Sequence, residues 1–304
     1  MTQTKSRFVM LLTGVTVIAV LSGCVSISAP VADPGHPAMS PFQHIHGLAL
    51  DRDAGFGLVA THEGLFRFPI TGAKALTPAE VGKPQGGIMD DFMGLTSIDG
   101  TLFASGHPHG EQATAGPNLG LRQSIDAGST WSAVSATPTA DYHALTVGKG
   151  DGGSPVIYGL DSGSEGISSS ADGGRSWIPG AALAARNITA DPNLPNTVYA
   201  TTQTGVQISH DAGKTFVPVT GAPALYLLAA IPNPATGTLI GVDVDGTVWL
   251  KPATLPWKKT GSVSGQASAI AIAAGTDPKL LVSDDSGIAV SSDLGASWRL
   301  VVTP

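Results

Sequence analysis

Histidine and methionine are the side chains in this 304-residue sequence best suited to holding a ligand, and they are crowded toward its first half. Six of the eight histidines, His44, His46, His62, His107, His109 and His143, fall between positions 44 and 143. Met93 lies among them, and His36-Pro-Ala-Met39 repeats the combination upstream. The spacing of two in His44-Ile-His46 puts both rings on one face of an extended strand. Imidazole together with a soft thioether favours copper, Cu(I) in particular, over zinc or calcium. His44, His46, His62, Met93, His107 and His143 are therefore the candidate copper ligands. Asp91 and Asp141 stand two residues before Met93 and His143, where their carboxylates could orient those ligands through hydrogen bonds. The same groups could instead hydrogen-bond one another and the backbone at a polar rim, with Met93 filling space. No His-Glu-x-x-His string is present, and a single Cys excludes an internal disulfide and a Cys-based zinc site.

These residues are far apart in the chain and can meet only if a repeating fold returns them to one place. Four segments share a pattern: Ser124-Ile-Asp126-Ala-Gly128-Ser-Thr130-Trp131, Ser170-Ala-Asp172-Gly-Gly174-Arg-Ser176-Trp177, Ser209-His-Asp211-Ala-Gly213-Lys-Thr215-Phe216 and Ser291-Ser-Asp293-Leu-Gly295-Ala-Ser297-Trp298. Their aromatic positions step by 46, 39 and 82 residues, and Trp257 falls midway in the longest step as a decayed copy. Asp and Ser bond the backbone of a tight turn, Gly supplies a positive φ, and the aromatic anchors the next strand. Asp126, Asp172, Asp211 and Asp293 are accordingly read as structural. Around each string the strand order recurs, for example His143–Val147, Val156–Tyr158, Gly166–Ser168 and a fourth strand opening at Trp177. Six units result, starting near His44, Asp91, Asp141, Arg186, Leu225 and Ser268, at about 43.5 residues each. The first has the strands without the turn string, and no strand exchange closing the ring is evident. Aligning the units brings His46, Met93 and His143 to equivalent places, followed by Arg186, Tyr226 and Ser268. His62, His107 and His109 lie on the same edge, opposite the turn strings. A role common to the fold should recur in all six units, and this one does not.

The repeated string resembles the Asp-box, or BNR repeat, of sialidase-type and sortilin-type β-propellers. The expected fold is all-β: a six-bladed β-propeller of four-stranded antiparallel blades over residues 42–304. A sialidase-type activity would imply three arginines clamping a carboxylate, a Tyr nucleophile with a Glu, and an acid/base Asp. Only Arg186 stands at the start of an inner strand, so sialic-acid hydrolysis is not expected. A glycoside hydrolase in general needs two carboxylates about 5 to 9 Å apart. Glu63, Asp91, Asp141, Asp161, Glu165, Asp243 and Asp284 are on the correct edge, although turn capping is the commoner work of Asp. No catalytic residue is assigned.

The address is in the first residues. Lys5 and Arg7 precede the apolar run Phe8 to Leu21, which ends in Leu21-Ser22-Gly23-Cys24. The run is too short for a comfortable membrane span and has the form of a secretion signal. Leu-Ser-Gly-Cys resembles the bacterial lipobox, which implies cleavage after residue 23 and lipid attachment at Cys24. Residues 24–41 then read as a lipidated tether. A net charge of −7 argues against nucleic acid as a partner. A charged fraction of 13%, about half the usual value, excludes a disordered acidic tail. The expectation is an extracytoplasmic lipoprotein, anchored to the membrane through Cys24, whose propeller is a binding module for copper. A carbohydrate-active enzyme and a protein-assembly scaffold, with a glycan or an envelope protein as partner, are the alternatives.

Overall fold

Short apolar runs punctuated by Gly, Asn and Asp turns form 23 strands and one short helix, α1 (Pro78–Val81), among the described residues. The computed structural model describes residues 42, 44–51, 55–110, 116–135, 140–231, 238–273 and 278–304. The signal segment, Cys24, the tether, His36 and Met39 lie outside the described residues.

The strands make six antiparallel sheets in chain order, the blades of a six-bladed β-propeller. Blade one holds β1 (Ile45–Leu50), β2 (Phe56–Thr61) and β3 (Gly64–Pro69). Blade two holds β4 (Asp91–Ile98), β5 (Thr101–His107), β6 (Leu121–Ser124) and β7 (Ser132–Ser135). Blade three follows with β8 (Tyr142–Lys149), β9 (Pro155–Asp161), β10 (Gly166–Ser170) and β11 (Ile178–Ala182). Blade four has β12 (Ala185–Ala190), β13 (Val198–Thr202), β14 (Gly205–Ser209) and β15 (Val217–Pro218). Blade five has β16 (Leu225–Ala230), β17 (Leu239–Asp243), β18 (Thr247–Lys251) and β19 (Lys258–Ser262). Blade six ends the ring with β20 (Ala269–Ala273), β21 (Lys279–Asp284), β22 (Gly287–Ser291) and β23 (Arg299–Val302). Every inner strand opens within one residue of the unit start expected from the repeat.

The core is a ring of six apolar clusters, each shared by two neighbouring blades. This explains the turn strings. In blade two, Ser124 Oγ donates to Asp126 Oδ1 at 2.8 Å and accepts from Gly128 N at 2.9 Å. Asp126 in turn accepts from Thr130 N and Oγ1 at 2.9 and 2.6 Å. The same bonds recur around Asp172, Asp211 and Asp293. So bent, each turn lays its glycine on the preceding blade: a Cβ on Gly128 would come 2.3 Å from Leu65, and one on Gly174 2.1 Å from Leu121. Trp131, Trp177, Phe216 and Trp298 each pack on the cluster shared with the preceding blade, and Trp257 does the same without the Asp.

Blade one has three strands, and the fourth place is used to close the ring. After β3 the chain crosses to blade six, where Leu76 bridges Val302 in parallel. Leu76 N donates to Val301 O at 2.9 Å and Thr303 N donates to Leu76 O at 2.8 Å. Arg299 donates to the carbonyls of Ile70 and Gly72. Ile70, Leu76 and Val81 fill the apolar cluster where a turn aromatic would otherwise sit.

Hydroxyl and backbone N–H donors hold the carboxyls of Asp126, Asp211 and Asp293 down at about 2, and that of Asp172 well below the usual carboxylate range. A depressed folded-state pKa contributes stability that is present above the unfolded value of 3.8 and lost as pH falls toward 2. Chemical denaturation of Asp211→Asn as a function of pH should therefore show lower stability at neutral pH. It should also show a shallower fall between about pH 4 and 2 than in the parent protein.

Candidate metal centre

The residues at the channel mouth owe their direction to one irregularity repeated around the ring. In five blades the ladder between the first and second strands skips one inner-strand residue. The skipped residues are His46, Met93, His143, Arg186 and Tyr226. A bulged residue is left out of pairing and its side chain is re-aimed. His46, Met93, His143, Arg186 and Ser268 line a central channel of about 840 Å³. The bulge interrupts the alternation on which the spacing of His44 and His46 relies. Both rings nevertheless pack on His62, with centroids 5.2 and 4.4 Å away.

Small residues after the bulges let neighbouring inner strands approach. A Cβ on Gly94 would lie 2.6 Å from the Tyr142 carbonyl oxygen, and one on Gly47 would lie 3.1 Å from Leu95 Cβ. Gly106, at φ +151°, passes directly behind Asp91, whose carbonyl oxygen would be 1.9 Å from a Cβ there. Blades one, two and three are thereby drawn together at the mouth.

The first resulting group joins blades one and two. His46 Nε2 lies 3.3 Å from His62 Nδ1, and His62 Nδ1 lies 2.9 Å from Asp91 Oδ2. Asp91 Oδ1, 3.7 Å from His46 Nε2, is buried and has no hydrogen-bond partner. Burial first, then the adjacent His62 ring, pushes the pKa of His46 down from 6.5 to about 4. The ring is neutral at neutral pH and keeps a lone pair to offer. A neutral imidazole carries one N–H, so His62 Nδ1 cannot fully satisfy both His46 and Asp91. A cation among the three atoms would satisfy all of them. Bonds of about 2.1 Å in a tetrahedral or square arrangement require ligand–ligand edges of roughly 3.0–3.4 Å, and the two ring nitrogens are 3.3 Å apart.

The second group joins blades two and three. His143 Nε2 lies 3.0 Å from Asp141 Oδ2, and His107 Nε2 lies 3.3 Å from Asp141 Oδ1, again a buried oxygen lacking a hydrogen-bond partner. Ser162 Oγ donates to Asp141 Oδ2 and fixes the carboxylate. His107 Nδ1 is also 3.4 Å from Asp91 Oδ2, which places this ring between the two groups. Each trio offers ligand atoms within 4.8 Å of one another and could hold a metal ion.

Of the six ligands expected from the sequence, His46, His62, His107 and His143 enter these groups. His44 stays one ring away, against His62. Met93 lines the channel wall between His46 and His143. Asp91 and Asp141, expected to orient ligands, stand among the nitrogens as equal members of the trios. Ser162 was not anticipated; its only signal is its place in the turn after Asp161. Of the other expected carboxylates, Asp161, Asp243 and Asp284 tie down turns by accepting from Gly163 N, Asp245 N and Ser286 N. Across the mouth, Arg186 Nε donates to Tyr226 Oη at 2.7 Å, with the guanidinium stacked 4.7 Å above that ring. The mouth thus divides into a His/Asp half and an Arg/Tyr half.

No protein-family model matches the chain, and no curated protein matches its sequence. Solved structures of similar fold include a nidogen/laminin complex, with TM-score 0.57 and 14% identity, covering 81% of this chain and 92% of that one. An ancestral GH74 enzyme has TM-score 0.51 and 15% identity, and the GH74 enzyme of Niastella koreensis 0.50 and 17%. Each of these two covers 81% of this chain, which spans only 36% and 42% of their respective lengths. The shared feature is the β-propeller.

Gly94→Ala tests the close approach that builds the mouth. The added methyl must push blade three from blade two, and we expect a loss of about 1–3 kcal/mol in denaturant unfolding.

Proposed function

We propose that this chain is a metal-binding module whose propeller holds a divalent transition metal at the channel mouth, with Cu(II) as the preferred ion. The observation that carries the reading is the convergence of His46 Nε2, His62 Nδ1 and the Asp91 carboxylate within 4.8 Å, with one carboxylate oxygen buried and unpartnered. The donors so converged are imidazole nitrogens and a carboxylate. That chemistry suits a divalent ion better than Cu(I), and for a given nitrogen and oxygen site Cu(II) binds most tightly of the first-row series. The leader ending in Leu21-Ser22-Gly23-Cys24 supports a lipid-anchored, extracytoplasmic protein. There the metal would be presented at a membrane surface, with envelope proteins or glycans as possible partners in exchange. A glycoside hydrolase using Asp91 and Asp141 has less support, because imidazoles crowd both carboxylates.

Calorimetric titration of metal-free protein, purified without a histidine tag, should show Cu(II) binding that weakens at least about tenfold in Asp91→Asn and in His62→Gln. Wild-type protein that takes up no Cu(II), or turnover of aryl-glycosides lost in Asp91→Asn, would overturn the reading. For the anchor, Cys24→Ser should abolish incorporation of labelled palmitate into the protein in cells.

A further inference from the structure

His107 occupies a place that the fold uses differently in every other blade. The residue closing the second strand is Thr61, Asp161, Thr202, Asp243 or Asp284, and each binds the turn that follows it. In blade two that residue is His107, and the chain reaches β6 only after residues 108–120. With no tight turn to cap, the ring is directed to carboxylates on both sides.

The geometry there is doubled. A ring at the end of one blade's second strand faces the Asp that opens or precedes the next blade's inner strand: His62 against Asp91 at 2.9 Å, and His107 against Asp141 at 3.3 Å. A bulge histidine completes each group, His46 in the first and His143 in the second. Each group has its own buried carboxylate oxygen without a hydrogen-bond partner, Asp91 Oδ1 and Asp141 Oδ1. One ion cannot serve both, because the two nitrogens of His107 point in divergent directions, Nδ1 to Asp91 at 3.4 Å and Nε2 to Asp141.

We infer that the mouth is a two-metal site, with one divalent ion on His46, His62 and Asp91 and a second on His107, Asp141 and His143. This rests on the metal-binding reading above. Two carboxylates would meet part of the +4 of the ions, and anions or hydroxide from solvent would neutralise the rest. Ser162 Oγ donates to Asp141 Oδ2, which leaves Oδ1, beside His107 Nε2, for the second ion.

The full-length protein, metal-free and in detergent, is titrated with Cu(II) alone and followed by calorimetry and electron paramagnetic resonance. We expect two ions per chain. Each equivalent should add its own copper spectrum. His107→Thr installs the residue that closes the second strand in blades one and four, so the fold is spared. It should keep the first ion and weaken the second ion at least about tenfold. Asp141→Asn should leave one tight ion. A wild type that saturates at one ion overturns the two-metal site while leaving the metal-binding reading intact. So does a second ion whose affinity is unchanged in both His107→Thr and Asp141→Asn. Protein that binds no Cu(II) at all overturns both.

Discussion

Everything at the channel mouth depends on the bulge that opens five of the six inner strands. An unbroken ladder would send each successive side chain to alternate faces, into one interblade cluster or the other. By leaving His46, Met93, His143 and Arg186 out of the pairing, the strand turns these side chains toward the channel, while the fifth bulge residue, Tyr226, still packs against an apolar cluster. The bulge residues are therefore carried on strand backbone, whereas His62, Asp141 and Ser162 sit just beyond strand ends. The irregularity belongs to the fold; the residue placed on it differs from blade to blade.

The same division holds elsewhere in the ring. Every element that recurs has a structural account. The turn aspartates bend a loop so that a glycine and an aromatic can seat on the preceding blade, and the aromatic remains at Trp257 where the Asp has gone. The residue closing the second strand caps its turn. What lacks a structural account is what fails to recur: imidazoles in blades one to three, and His107 in place of a capping Thr or Asp. A six-fold repeat supplies its own internal control. Departures from it are more informative than any single residue type, because the backbone around each equivalent position is nearly the same.

The repeat was legible in the sequence because its signal is chemical and local. Ser, Asp, Gly and an aromatic at fixed spacing specify a turn, and their period specifies the number of blades and the start of each inner strand. The grouping of His46, His62, His107 and His143 followed from that register. Two things were not legible. A bulge adds one residue to a strand without any mark in composition, so the spacing of His44 and His46 could not say where either ring points. The role of Asp91 and Asp141 was hidden for a related reason. Each lies two residues before a bulge, and that spacing, which does set Asp141 beside His143, says nothing of the ring that each meets from the neighbouring blade, His62 for Asp91 and His107 for Asp141. Ring closure was also out of reach. Beside the apolar cluster shared by blades six and one, it uses a parallel bridge at Leu76 and arginine bonds to carbonyls, neither of which has a sequence pattern.

The donor atoms bear on which oxidation state of copper the site would favour. Histidine with methionine in the sequence points to Cu(I), because the thioether is soft. In the folded chain the nitrogens meet carboxylates, and the methionine takes a place on the channel wall. Carboxylates stabilise the higher charge, and a second nearby cation would be tolerated because two of them are present. Asp91 is the pivot of this arrangement. It faces His46 and His62 from one blade and His107 from its own, so its charge is shared by both groups. Gly106 is what allows it to sit there, since any side chain behind it would strike the Asp91 carbonyl. The chemistry of the mouth is thus constrained by a residue that has no chemistry of its own.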